Sequence, residues 1–294
     1  MNQVKGVLTA LITPFKGGRV DFSSFARVIE QQIQAGIHGF VINGTTGESP
    51  TLSESEVEEL FRFARKQVGA QFPLVVGTGL NSTAKSIELT KRAEEWGADA
   101  ALVVVPYYNK PPQRGLVAHF KAIAEATRLP VILYNVPGRT ITALELETIR
   151  ELSHVPNIVG IKEASGNIDF AKKIREACGP KFLLLSGDDG TYAQFLEVGG
   201  NGVISVASHV IPAPFVAWTE AAWSGQTSRA VQEIEQYRKM IDLLFVEANP
   251  IPVKRAMKLM KIIESSELRL PLVEMSEPLA EKLKSELVYC GILK

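Results

Sequence analysis

Lys162 follows directly on an apolar run. In the stretch Asn157 to Gly166, NIVGIKEASG, the residues Ile158-Val159-Gly160-Ile161 read as a buried strand, and the amine comes next. Most lysines are solvated charges, and a strand reaching water commonly ends in one. An amine held at the end of a strand inside a pocket is a different reagent: in its neutral form it adds to a carbonyl and gives an iminium. Other reactive residue types also follow apolar runs: Thr45 and Thr46 in GTTGESPTL, Tyr107 and Tyr108 in PYYNKPPQRG, Tyr134 and Arg139 in YNVPGRT. Singly, each has an ordinary reading: threonine as a turn residue, tyrosine as packing with a wet hydroxyl, arginine as a loop charge. Together they are parts for carbonyl chemistry, with an amine for the iminium, hydroxyls and phenols to move protons, and a guanidinium fork for a carboxylate.

Such groups act together only if one scaffold brings their loops to one face. Short β-branched runs, GVLTALITPF, GFVING, PLVVGTG, ALVVVPYY, PVILYNVP, IVGIKEAS, FLLLSGDD and GVISVAS, recur along the chain. Between them lie stretches of helical period such as Phe22 to Ala35, Glu56 to Val68, Ser86 to Trp96, Leu116 to Ala126 and Leu144 to Leu152. Continuous apolar strands joined by crossover helices make a parallel sheet, and eight of them predict a closed (β/α)8 TIM barrel of the α/β class. An open doubly wound sheet fits less well, because GTGLNS at Gly77 lacks the third glycine of a dinucleotide fingerprint. Active sites of such barrels lie at the carboxyl ends of the strands, so Lys162 shares a face with the loops after the second, fourth and fifth strands. The second of the eight loops is longer than a turn requires and runs into a capping box, Ser53 with Glu56. After the seventh strand, Asp188 and Asp189 stand where barrels often bind phosphate, which favours a carboxylate substrate held by Arg139 and backbone amides.

Beyond WSGQTS (Trp223 to Ser228) no further strand appears. Val231, Ile234, Met240, Ile241, Leu244 and Phe245 approximate a helical stripe, and Pro252 can open a second helix reaching about Glu264. The expected division is a catalytic barrel over residues 1–225 and a helical C-terminal domain over 226–294. The 294 residues are 46% hydrophobic, and 32 basic residues balance 32 acidic ones, so there is no net field to draw the chain to nucleic acid or an anionic membrane. Cys178 and Cys290 have no CxxC spacing, which suits a reducing cytoplasm. His38, His119, His154 and His209 lack the i, i+4 pairing of a metal site, and the first apolar run, broken at Pro14, is too short to span a membrane. No metal and no cofactor is expected.

The motifs GTTGES, VVPYYNKP, YNVPGRT, GIKEASG, SGDD and NPIPVK, in this order and spacing, resemble those of the dihydrodipicolinate synthases, which are pyruvate-dependent class I aldolases. Related N-acetylneuraminate, keto-deoxy sugar acid and 4-hydroxy-2-oxoglutarate aldolases are the alternative, but PGRT after the fifth strand is similar to the synthase branch. The resemblance implies a lyase of diaminopimelate and lysine biosynthesis. In it Lys162 condenses with pyruvate and the enamine attacks L-aspartate 4-semialdehyde. It further implies that Tyr134 is the acid and base at the imine, and that Thr45 and Tyr108 relay its proton, Tyr108 reaching in from a neighbouring subunit of a homotetramer built as a dimer of dimers. Thr46 would hold the pyruvate carboxylate and Arg139 that of the semialdehyde, with the backbone of Gly187 and Ile204 lining the pocket. Lysine-inhibited relatives bind the effector at positions corresponding to Ser49, Pro50, Glu54, Val57, Asn81, Lys85 and Tyr107. Inhibited bacterial members carry histidines in place of Glu54 and Val57 and a glutamate in place of Lys85, so a degenerate effector site is expected.

Overall fold

The computed structural model describes residues 4–294. Eight parallel strands close into a barrel: β1 (Gly6–Ala10), β2 (Gly39–Ile42), β3 (Leu74–Gly77), β4 (Ala100–Val104), β5 (Val131–Asn135), β6 (Ile158–Glu163), β7 (Leu183–Ser186) and β8 (Gly202–Ser205). Neighbours in sequence pair side by side, and β8 closes on β1 from Gly6↔Gly202 to Thr9↔Ser205. The apolar runs become strands because both of their faces are covered. Leu8, Val41, Val75, Leu102, Ile132 and Ile204 fill the barrel, while Val7, Phe40, Leu74, Val103, Leu133 and Val203 pack outward in the helix-facing core. Burying each such side chain is worth about 1.5–3 kcal/mol, and a register slip of one residue would expose the set.

The sixth strand departs from simple alternation, and Lys162 depends on that departure. A strict period of two would put Ile158, Gly160 and Lys162 on one face, and Ile158 faces outward into the helix-facing core. Between Val131↔Ile158 and Ile132↔Gly160, however, β6 gains one residue over β5, a β-bulge at Val159. The extra residue flips the remainder of the strand, so that Ile161 packs outward and Lys162 pairs with the inward-facing Tyr134. Gly160 is required at this point: a Cβ there would lie 2.4 Å from Leu183 Cβ and 2.5 Å from Leu183 O.

The expected crossover helices are present as α1 (Phe22–Gln34), α2 (Glu54–Val68), α3 (Thr83–Trp96), α4 (Gln113–Glu125) and α5 (Leu146–Leu152). They are joined by α6 (Ile168–Cys178), α7 (Tyr192–Glu197) and α8 (Pro212–Trp223). Helix α2 starts ahead of its apolar pattern because the capping box closes: Ser53 Oγ accepts from Glu56 N at 3.2 Å, and Glu56 Oε2 accepts from Ser53 N at 2.9 Å. The first apolar run also feeds a small antiparallel hairpin, Phe15–Lys16 with Arg19–Val20, turning through Gly17 and Gly18 at φ 58° and 79°.

The C-terminal stripe does not form one helix. It divides into α9 (Thr227–Ile234) and α10 (Arg238–Leu243) around a 3-10 turn, Glu235–Tyr237. Ile234, Met240, Ile241 and Leu244 are buried as the pattern predicts, but Phe245 is 43% exposed. Pro252 lies in the first turn of α11 (Ile251–Leu259), which ends before Glu264, and α12 (Glu277–Tyr289) follows. Val253, Met257, Leu283 and Leu287 belong to the same apolar cluster as the outer barrel face. Arg269 then forks onto Glu56 at 2.5 and 2.8 Å, which holds that carboxyl down at a pKa of about 2. Among the described residues no helix is long and apolar enough to cross a membrane.

Candidate active site

At the carboxyl end of the barrel a cavity of about 380 Å³ is lined by Thr45, Thr46, Tyr134, Gly138, Arg139, Lys162, Gly187 and Ile204, together with Asp188, Phe245, Ala248 and Asn249. Tyr134 and Lys162 are cross-strand partners on β5 and β6. Both are 7% exposed, and Lys162 Nζ stands 4.3 Å from the centre of the Tyr134 ring. The next pair, Asn135 and Glu163, points to the opposite face. There Glu163, its carboxyl pushed up by burial, accepts from Asn135 Nδ2 and from Ser165 N, both at 2.7 Å. Asn135 Oδ1 in turn accepts from Leu144 N at 2.9 Å, fixing the far end of the loop that carries Arg139. Arg139 itself sits in a single helical turn, Pro137–Thr140, and is exposed at the rim.

The loop after β2 is two consecutive 3-10 turns, Thr45–Gly47 and Ser49–Thr51, joined through Glu48 at φ 61°. That left-handed residue is fully buried and ion-paired with the equally buried Lys254 of α11. Lys254 Nζ also donates to Glu267 O at 2.8 Å, and Glu48 Oε2 accepts from Arg269 N at 3.0 Å. Burial lowers the Lys254 pKa to about 8, against the pull of Glu48. Thr46 is buried, and its Oγ1 accepts from Asn249 Nδ2 at 2.9 Å. Thr45 is half-buried at the mouth.

Gly187 follows β7 because nothing larger fits: a Cβ would lie 2.8 Å from Lys162 Cε and 2.5 Å from Ala164 Cβ. Its neighbours Asp188 and Asp189 have internal duties. Asp188 Oδ1 accepts from Thr191 N and Oγ1, each at 2.8 Å. Asp189 Oδ2 accepts from Val206 N at 2.9 Å and Ala207 N at 2.8 Å, and its burial raises its pKa to about 6. The amides after β8 that a phosphate would need are thus already taken by a carboxylate.

Tyr108 does not reach this cavity. It is 90% exposed at φ 75°, an uncommon conformation for a bulky side chain, on the loop where Tyr107 is also exposed. Tyr107 lines a second cavity of about 480 Å³ with Ser49, Pro50, Glu54, Val57 and Lys85. Asn81, grouped with them from the sequence, is not in that lining; its carbonyl accepts from Asn109 Nδ2 at 2.9 Å. Glu88, which the sequence motifs did not single out, is. It stands one helical turn beyond Lys85, a spacing that could have flagged it. Thr45, Val136 and Arg139 line both cavities. Also missed were Phe245, Ala248 and Asn249, the wall supplied by the tail. The motif NPIPVK contains Asn249 and Lys254, but nothing in its spacing gives either a role. Among the described residues no group of three or more His, Cys, Asp or Glu could hold a metal ion.

Known proteins are similar to this chain over its whole length. The chain is 58% identical over 293 residues to the 4-hydroxy-tetrahydrodipicolinate synthase of Bdellovibrio bacteriovorus, covering 100% of both chains. Its fold superposes with a TM-score of 0.96 on the chloride-inhibited dihydrodipicolinate synthase of Acinetobacter baumannii complexed with pyruvate, at 41% identity over 99% of this chain and 100% of that one. The corresponding enzyme of Cyanidioschyzon merolae with lysine bound gives a TM-score of 0.94 at 42% identity, covering 98% and 99%. The profile of the Dihydrodipicolinate synthetase family matches residues 3–289, and the chain belongs to that family.

Proposed function

We propose that the protein is a 4-hydroxy-tetrahydrodipicolinate synthase, a lyase of the diaminopimelate route to lysine that works in the cytoplasm on pyruvate and L-aspartate 4-semialdehyde. The observation that carries the reading is the enclosed amine of Lys162 against the Tyr134 ring, at the strand ends where Thr45, Thr46 and Arg139 converge. Lys162 adds to the pyruvate carbonyl and water leaves, giving the iminium. Loss of a methyl proton makes the enamine, whose carbon bonds to the aldehyde carbon of the semialdehyde, and the aldehyde oxygen takes up a proton. The substrate amine then attacks the imine carbon, closing the ring and releasing Lys162. In this reading Tyr134 carries these protons, Thr45 passes them outward, and Thr46 and Arg139 hold the two carboxylates. No cofactor is required by these steps. A related structure is complexed with pyruvate, and relatives across the whole length bear the synthase name, which favours this reading over a sugar-acid aldolase. A coupled assay should give condensation with both substrates and no pyruvate-forming cleavage of keto-deoxy sugar acids; the reverse pattern would assign the barrel to the other branch.

Tyr108, strained and exposed, fits a role outside its own subunit: inserted into a neighbouring copy, it would extend the relay from Thr45 in a homotetramer. Gly187 gives a first test of the amine's placement. Gly187→Ala should slow condensation about 10- to 100-fold, because the added methyl must displace the Lys162 side chain from attack geometry. A variant as fast as the parent would show that this contact is not limiting.

The second cavity corresponds to the effector site of lysine-inhibited relatives, and its charges suit that ligand poorly. Lys85 opposes the effector's ammonium groups, Val57 offers no hydrogen bond, and Glu54 is engaged by Arg92 at 3.2 Å. Glu88 returns part of the attraction. Loss of one charge-assisted contact is worth about 2 kcal/mol, or some thirtyfold in affinity. Half-inhibition by lysine is therefore expected above about one millimolar, and a value below it would mean that Glu54 and Glu88 compensate fully.

A further inference from the structure

We infer that Asn249 is a positioning residue for the carboxylate contact made by Thr46, an inference that rests on the proposed role of Thr46 toward pyruvate. A hydroxyl has one proton and two lone pairs. To donate that proton to a substrate carboxylate, Thr46 must present a lone pair to its protein neighbour. Asn249 Nδ2 enforces this by donating to Thr46 Oγ1 at 2.9 Å within a buried contact. The amide itself is rigidly placed. Asn249 is 6% exposed, its backbone carbonyl accepts from Arg139 Nη2 at 3.3 Å, and α11 follows two residues on, carrying Lys254 onto Glu48. The segment from Asn249 to Lys254 therefore grips the turn after β2 at two points, Thr46 and Glu48, and touches Arg139 at a third.

The two ends of NPIPVK thus act on one loop. Asn249 sets the direction of a substrate donor, and Lys254 fixes the turn that bears it.

The test is a double-mutant cycle of Asn249→Ala and Thr46→Val, read as the apparent KM for each substrate. Each single change should raise the KM for pyruvate about 10- to 30-fold, the loss of one hydrogen bond to a charged group. The double variant should be no worse than Thr46→Val within about twofold, since without the hydroxyl there is nothing left to orient. The KM for the semialdehyde should move less than about threefold, because the Arg139 contact uses the backbone carbonyl of Asn249. Asn249→Asp, nearly isosteric and unable to donate, serves the same cycle if the alanine variant does not fold. Additive losses would overturn the inference and leave Thr46's role standing. An unchanged pyruvate KM in Thr46→Val alone would overturn the role of Thr46, and the inference with it.

Discussion

Lys162→Ala should fold as the parent does and lose synthase activity by about four orders of magnitude, the scale on which removal of a covalent nucleophile acts. The fold should survive because the Lys162 side chain enters no ion pair and no hydrogen bond among the described residues; its polar contact is the Tyr134 ring. Truncation removes an amine from a largely buried site without stranding a partner. Thermal unfolding beside the condensation assay separates the two readouts. A variant that is inactive because it is unfolded would move Lys162 from chemistry to structure, and one that keeps more than a hundredth of the activity would point to another amine.

Arg139→Ala has the next largest expected effect, and a different signature. A bidentate carboxylate contact is worth roughly 2 to 4 kcal/mol, so kcat/KM for the semialdehyde should fall about 30- to 1000-fold. Among the described residues the guanidinium is held by one long bond, 3.3 Å to Asn249 O, and its other donors are available at the cavity rim. The pyruvate adduct should form nearly as before, because the first carboxylate is assigned to Thr46 and backbone amides. Arg139→Lys should recover the charge but not the fork, leaving an intermediate loss of about tenfold. Equal impairment of adduct formation and condensation would show that Arg139 serves the pyruvate step instead.

The barrel was legible because each strand is a continuous apolar run covered on both faces, a pattern no solvated loop imitates. Thr45, Tyr134, Arg139 and Lys162 were legible as a group because strand ends share one face of such a barrel. The direction of Lys162 was not. Counting by twos from Ile158 sends it toward the helices, and only the bulge at Val159, a property of the pairing with β5, turns it inward. Asn249 and Lys254 escaped for another reason: they meet Thr46 and Glu48 across 203 and 206 residues of chain, and no local spacing encodes such contacts. The tail's stripe also ran past its helix: α10 ends at Leu243, so Met240, Ile241 and Leu244 pack in the core while Phe245, beyond the helix end, lies at the cavity wall.

The central claim is that Lys162 is the amine that takes up pyruvate. The direct measurement is borohydride reduction of the protein with pyruvate, followed by peptide mass mapping. One reduced adduct per chain is expected, a carboxyethyl group on the nitrogen of Lys162 within the NIVGIKEASG segment, and it should be absent from Lys162→Ala. An adduct on a different lysine, or no pyruvate-dependent adduct at all in an active preparation, would contradict the account.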